Sequence, residues 1–131
     1  MAGASPDQKS NTEPPVRAMI MVVGDEVLLR ALLADELRAA GYAVVEAADV
    51  QEALCALSHT SDVKVIITDI QMPDLIDGIT LARVVRSQHP TIKLVLTSGY
   101  YPAIDGLEHD GFFPKPYDPG RIIAHVRTLL D

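Results

Sequence analysis

A single cysteine in 131 residues rules out an internal disulfide. Cys55 falls within an apolar, helix-like pattern, so it is expected as a small buried hydrophobe in a reducing compartment. Aromatic residues make up only 5% of the chain, which leaves the core to Leu, Ile, Val and Ala. Basic residues are scarce: 11 Lys and Arg stand against 18 Asp and Glu, a net charge of −7, and no basic cluster occurs anywhere. That balance argues against a nucleic-acid partner, because phosphate contacts need gathered Lys and Arg. No apolar run approaches the roughly 18 residues of a membrane-crossing helix. The opening "MAGASPDQKSNTEPP" also lacks the apolar segment of a secretory signal. The expectation is a soluble cytoplasmic protein with no membrane partner.

What remains suffices for one domain with a real core, at 48% apolar composition. Residues 1–16 are rich in Pro, Ser and polar groups without periodicity and read as a flexible tail, with the folded unit over 17–131. From Ala18 the pattern changes. "AMIMVV", "VKVIITD" and "TIKLVLTS" are short continuous apolar runs that suit strands buried on both faces, and "YAVVEA" and "GFFPK" are weaker strand candidates. Helical patterns lie between them. Leu29, Leu33, Leu37 and Ala40 form one stripe, with Gly41 as its stop. Asp49 with Glu52 has the spacing of a capping box, and Asp118 followed by Pro119 opens the last helix. "YYPAIDGLEHDG" is broken by Pro102 and Gly106, so any helix there is short or irregular. The alternation implies a three-layer, doubly wound α/β fold of flavodoxin-like (βα)5 type, with a parallel five-stranded sheet in the order 2-1-3-4-5.

In such sheets, ligands bind beyond the carboxyl ends of the strands. The first strand is followed by Gly24, Asp25 and Glu26, the third ends at Asp69, the fourth at Thr97, Ser98 and Gly99, and the fifth leads into Lys115 and Pro116. Acids, a hydroxyl and an amine thus converge on one edge. Asp25 and Asp69 can serve a hard cation such as Mg²⁺, which takes one or two carboxylates and keeps several waters. Thr97 and Lys115 can hold the oxygens of a phosphoryl group. A carboxylate in such a place can also be the nucleophile that forms an aspartyl-phosphate.

At this point the chain resembles the receiver domains of bacterial two-component response regulators, from about Ala18 to Leu130. The resemblance rests on "VVGDE", "VIITDIQMP", the "DG" that opens the third helix, "LTSG" and "FFPKP", in order and at family spacing. It implies Asp69 as the phosphoacceptor, with Mg²⁺ held by Asp25, Asp69 and the Gln71 backbone carbonyl. It further implies Thr97 as a switch hydroxyl, Phe112 as the switch aromatic and a cis Lys115–Pro116 bond. The implied partners are a sensor histidine kinase or phosphotransfer protein and an unidentified downstream protein, with no enzyme activity of its own. Since the chain stops at the last helix, it is expected to act by docking, through the face that carries the irregular fourth helix, the fifth strand and the last helix.

Two features depart from the family. Gly24 stands where the first of two acids is usual, a gap expected to weaken Mg²⁺ binding by ~10–100-fold while easing repulsion of an anionic donor. It is not a phosphate loop, which would need more glycines and a Lys-Ser/Thr. "MPDLIDG" is one residue longer than usual. Plainer readings stand beside these: Asp69 as a turn residue, Thr97 as an ordinary strand residue, Phe112 as core and Glu26 as a first-turn acid favoured by the helix dipole. His59, His89, His109 and His125 lack ligand spacing, and Tyr100 and Tyr101 are loop residues. Two rival functions follow. One is a degenerate receiver working as a phosphorylation-independent interaction module. The other is a Mg²⁺-dependent phosphohydrolase with an Asp nucleophile, disfavoured because Gln71 stands where its second carboxylate belongs.

Overall fold

The computed structural model describes residues 18–72, 77–100 and 106–131. The tail, the long connection at "MPDLIDG" and the segment "YYPAIDGLEHDG", where a short or irregular element is expected, lie wholly or partly outside them. The strands are β1 (Met19–Val23), β2 (Ala43–Ala47), β3 (Val63–Asp69), β4 (Lys93–Ser98) and β5 (Phe112–Pro114). The helices among the described residues are α1 (Val27–Ala39), α2 (Val50–His59), α3 (Gly78–Gln88) and α4 (Pro119–Leu130). All strand pairs are parallel, in the order β2-β1-β3-β4-β5.

Continuous apolar runs occupy the middle of this sheet because helices cover both of its faces. Alternate residues of each strand serve opposite layers. Met21, Val23, Ile66, Leu94 and Leu96 join one core with Ala53 and Leu57 of α2 and Leu81 and Val85 of α3. Ile20, Val22, Val65, Ile67 and Val95 join the other with Leu33 and Leu37 of α1 and Ile122 and Val126 of α4. Each fully buried aliphatic side chain contributes about 1.5–3 kcal/mol relative to exposure. The short edge strand β5 tolerates Pro114, which no neighbour on its outer side asks to donate.

The helix starts follow their caps. Asp49 accepts from the Glu52 N–H at 2.8 Å while the Glu52 carboxylate accepts from the Ala48 N–H, also at 2.8 Å. Asp77 caps α3 and Asp118 caps α4 ahead of Pro119. Gly41, at φ 103°, follows the end of α1. Cys55 departs from expectation, since it is exposed. The buried face of α2 is Val50, Ala53 and Leu57, and Cys55 points away from it.

Candidate functional site

Parallel pairing brings the carboxyl ends of the strands to one edge. Asp69 lies opposite Thr97 in the ladder, and Thr97 opposite Phe113. Asp69 is 8% exposed and Thr97 1%. A carboxylate so deeply placed needs partners, and it has one for each oxygen. The Thr97 hydroxyl donates to Oδ1, and the Lys115 ammonium lies 3.0 Å from Oδ2. Lys115 is positioned by its own backbone N–H, which donates to the Ser98 carbonyl at 2.7 Å, and its bond to Pro116 is cis. Burial pulls the Lys115 pKa down, but hydrogen bonds to Glu26 and Asp69, with the charges of both acids, raise it overall. Lys115 is therefore a fixed cation. Burial, with the charges of Asp69 and Glu26 added, pushes the nearby Tyr117 phenol up to about 12.

Gly24 sits directly against this carboxylate. Its N–H donates to the Ala47 carbonyl at 3.0 Å, and its carbonyl accepts from Arg30 Nη1 at 2.7 Å. Arg30 is in turn held by Glu46 at 3.1 Å. A Cβ at position 24 would lie 2.8 Å from Asp69 Oδ2, so a side chain there would have to displace that oxygen. Gly78 makes a second close approach: a Cβ there would fall 2.0 Å from the Asp69 backbone oxygen. This accounts for the "DG" pair, in which Asp77 caps α3 and Gly78 lets that helix start against the end of β3.

Beside Asp69 an open recess of about 540 Å³ is lined by Asp25, Glu26, Gln71, Met72, Gly99 and Lys115. Asp25 and Gln71, both expected at a cation site, are exposed on it. Among the described residues no three His, Cys, Asp or Glu are gathered as a ready cage, and the Asp69 carboxylate is engaged by Thr97 and Lys115. Oxygen donors around open space fit a hard cation that keeps several waters, rather than one enclosed by protein. Phe112, opposite Leu96, is half-buried against the core on the α2–α3 face. It stands at the site's margin and does not line the recess.

Glu26 is where the sequence reading falls short. It is the N-cap residue of α1, yet its side chain makes no cap bond. Its carboxylate instead pairs with Lys115, 89 positions along the chain. Arg30, Tyr117 and the contact between Gly24 and Asp69 were likewise missed. The only local signal was the extra acid in "GDE".

A profile described as the response regulator receiver domain matches residues 20–127. The chain belongs to this family. As a receiver domain it has the phosphoacceptor role in two-component signalling, in a fold shared with its solved relatives. It is 34% identical over 122 residues to the sensor kinase CckA of Brucella abortus, covering 87% of this chain and 13% of that protein. It is 33% identical over 116 residues to the alkaline phosphatase synthesis transcriptional regulatory protein PhoP of Bacillus subtilis, covering 85% of this chain and 48% of PhoP. The chain thus spans less than half of either protein. The solved response regulator TrrA of Thermotoga maritima, in complex with Mg²⁺ and BeF, superimposes with a TM-score of 0.77 at 29% identity, covering 86% of this receiver and 98% of that chain. No helix among the described residues is long and apolar enough to cross a membrane.

Proposed function

We propose that Asp69 is the residue of this receiver that accepts the phosphoryl group, and that residues 17–131 form one signalling module rather than an enzyme. The observation that supports it best is the pairing of the two Asp69 oxygens with Thr97 and Lys115, a donor on each side of one carboxylate at the sheet edge. An Asp69 oxygen attacks phosphorus in the donor, whose bond to its leaving group breaks. Asp25, Asp69 and the Gln71 carbonyl would hold a Mg²⁺ ion, which would supply positive charge to neutralise the transferring group. Lys115 exchanges its bond to the Asp69 oxygen for one to the phosphoryl oxygens, and the Thr97 hydroxyl follows. That difference in contacts shifts the balance between two conformations, with Phe112 on β5 as the aromatic that reports it to the face of β5 and α4.

On this reading the receiver is cytoplasmic, a sensor histidine kinase or phosphotransfer protein is the donor, and a downstream protein docks on the switched face. Nucleic acid is not a partner, in keeping with the net charge of −7. Gly24 favours a second reading, in which the domain docks without phosphorylation. The two separate on titration with Mg²⁺ and beryllofluoride, followed by amide NMR. A phospho-receiver shows saturable, metal-dependent shifts at Thr97, Phe112 and Lys115 that vanish in Asp69→Asn. A phosphorylation-independent module shows none.

A further inference from the structure

We propose that Glu26 supplies a third carboxylate to the cation site, beside Asp25 and Asp69, in place of the acid that Gly24 does not provide. This rests on the reading of Asp69 and Asp25 given above.

Four observations converge on Glu26. Position 24 stands directly against the Asp69 carboxylate, a Cβ there lying 2.8 Å from Oδ2, yet it brings no acid of its own. The backbone at 24 is also fixed, by Ala47 through its N–H and by Arg30 through its carbonyl. Glu26 is two residues further on and carries a longer side chain. It lines both the recess with Asp25 and Gln71 and the small cavity of about 10 Å³ against Gly24, Asp69 and Thr97. Finally, Asp49, Asp77 and Asp118 all spend their side chains on capping their helices, whereas Glu26 at the same position of α1 does not. Its carboxylate is committed to the site.

In the structure that carboxylate is held by Lys115, which also bonds Asp69. One ammonium therefore stands between two acids. The Glu26 side chain is 58% exposed, so it can turn from Lys115 toward the recess without disturbing the core. A cation that keeps its waters needs an acid within reach of those waters, and loss of such an outer partner typically weakens binding ten- to a hundredfold. Glu26 is thus a positioning residue. It holds Lys115 on Asp69 when no cation is present and faces the cation's water shell when one is.

The test is a Mg²⁺ titration of the full chain, read by backbone amide shifts, on wild type, Asp25→Asn and Glu26→Gln. Saturable binding by wild type, its loss in Asp25→Asn and a roughly tenfold to hundredfold weaker affinity in Glu26→Gln are expected. Unchanged amide positions away from the site show that the variants are folded. If Glu26→Gln binds Mg²⁺ as tightly as wild type, or more tightly, Glu26 is only the counter-ion of Lys115 and the inference is wrong. If wild type itself shows no saturable shift, the cation-site reading fails and takes this inference with it.

Discussion

Each residue of the site is polar for a reason that its neighbours supply. Asp69 tolerates burial because Thr97 and Lys115 satisfy its two oxygens, and Thr97 faces it directly across the ladder. Gly78 is required by a backbone, not by a side chain that could turn aside. Gly78→Ala should force the end of β3 away from α3, destabilising the fold by roughly 1–3 kcal/mol, as overpacking does, and denaturant midpoints check this. Gly24→Ala is a milder case, since the atom it meets is a carboxylate oxygen. It should turn Asp69 off one of its two donors, visible as altered amide shifts at Thr97 and Lys115. Asp25, Asp69, Thr97 and Lys115 were legible in the sequence because each ends, or closely follows, an apolar run. Glu26 was not, because its partner is distant in the chain and nothing local distinguishes it from an ordinary first-turn acid.

At the scale of elements, sequence signals were strongest where capping chemistry is local. Asp49 with Glu52 and Asp118 announce two helix starts and make the expected bonds, and Asp77 of the "DG" pair proves to cap a third. Asp77→Ala should cost about 1 kcal/mol, seen as a lower Tm, because the N–H groups of Ile79 and Thr80 lose their acceptor. Leu37→Ala, in the stripe of α1 buried in the core with β1 and α4, should cost about 2–5 kcal/mol by leaving a cavity. Cys55 was misplaced because α2 is short and rich in Ala and Leu, so more than one stripe looks apolar. Only the register of Val50, Ala53 and Leu57 against the sheet decides which face is buried.

For the whole molecule, alternation of strand and helix was enough to give sheet order and layers, since parallel connections leave few topologies open. The way charges settle across the assembled edge was not readable, because it depends on which side chains reach one another. That arrangement gives a pH dependence of known sign. The Lys115 pKa lies above its ordinary 10.5, so its contribution to stability is complete below that value and is lost as pH rises through the folded one. Tyr117 moves from 10.0 to about 12, so the unfolded chain loses its phenolic proton first and stability falls across that same interval. Alkaline denaturant titrations should show this decline, and Tyr117→Phe should make it shallower. The central claim, that Asp69 takes a phosphoryl group despite the glycine beside it, is tested most directly by labelling the purified protein with a small phosphodonor, with and without Mg²⁺. Metal-dependent label that maps to Asp69 and disappears in Asp69→Asn is the expected result. A folded wild-type protein that takes no label at saturating Mg²⁺, or one that still takes it in Asp69→Asn, would contradict the account.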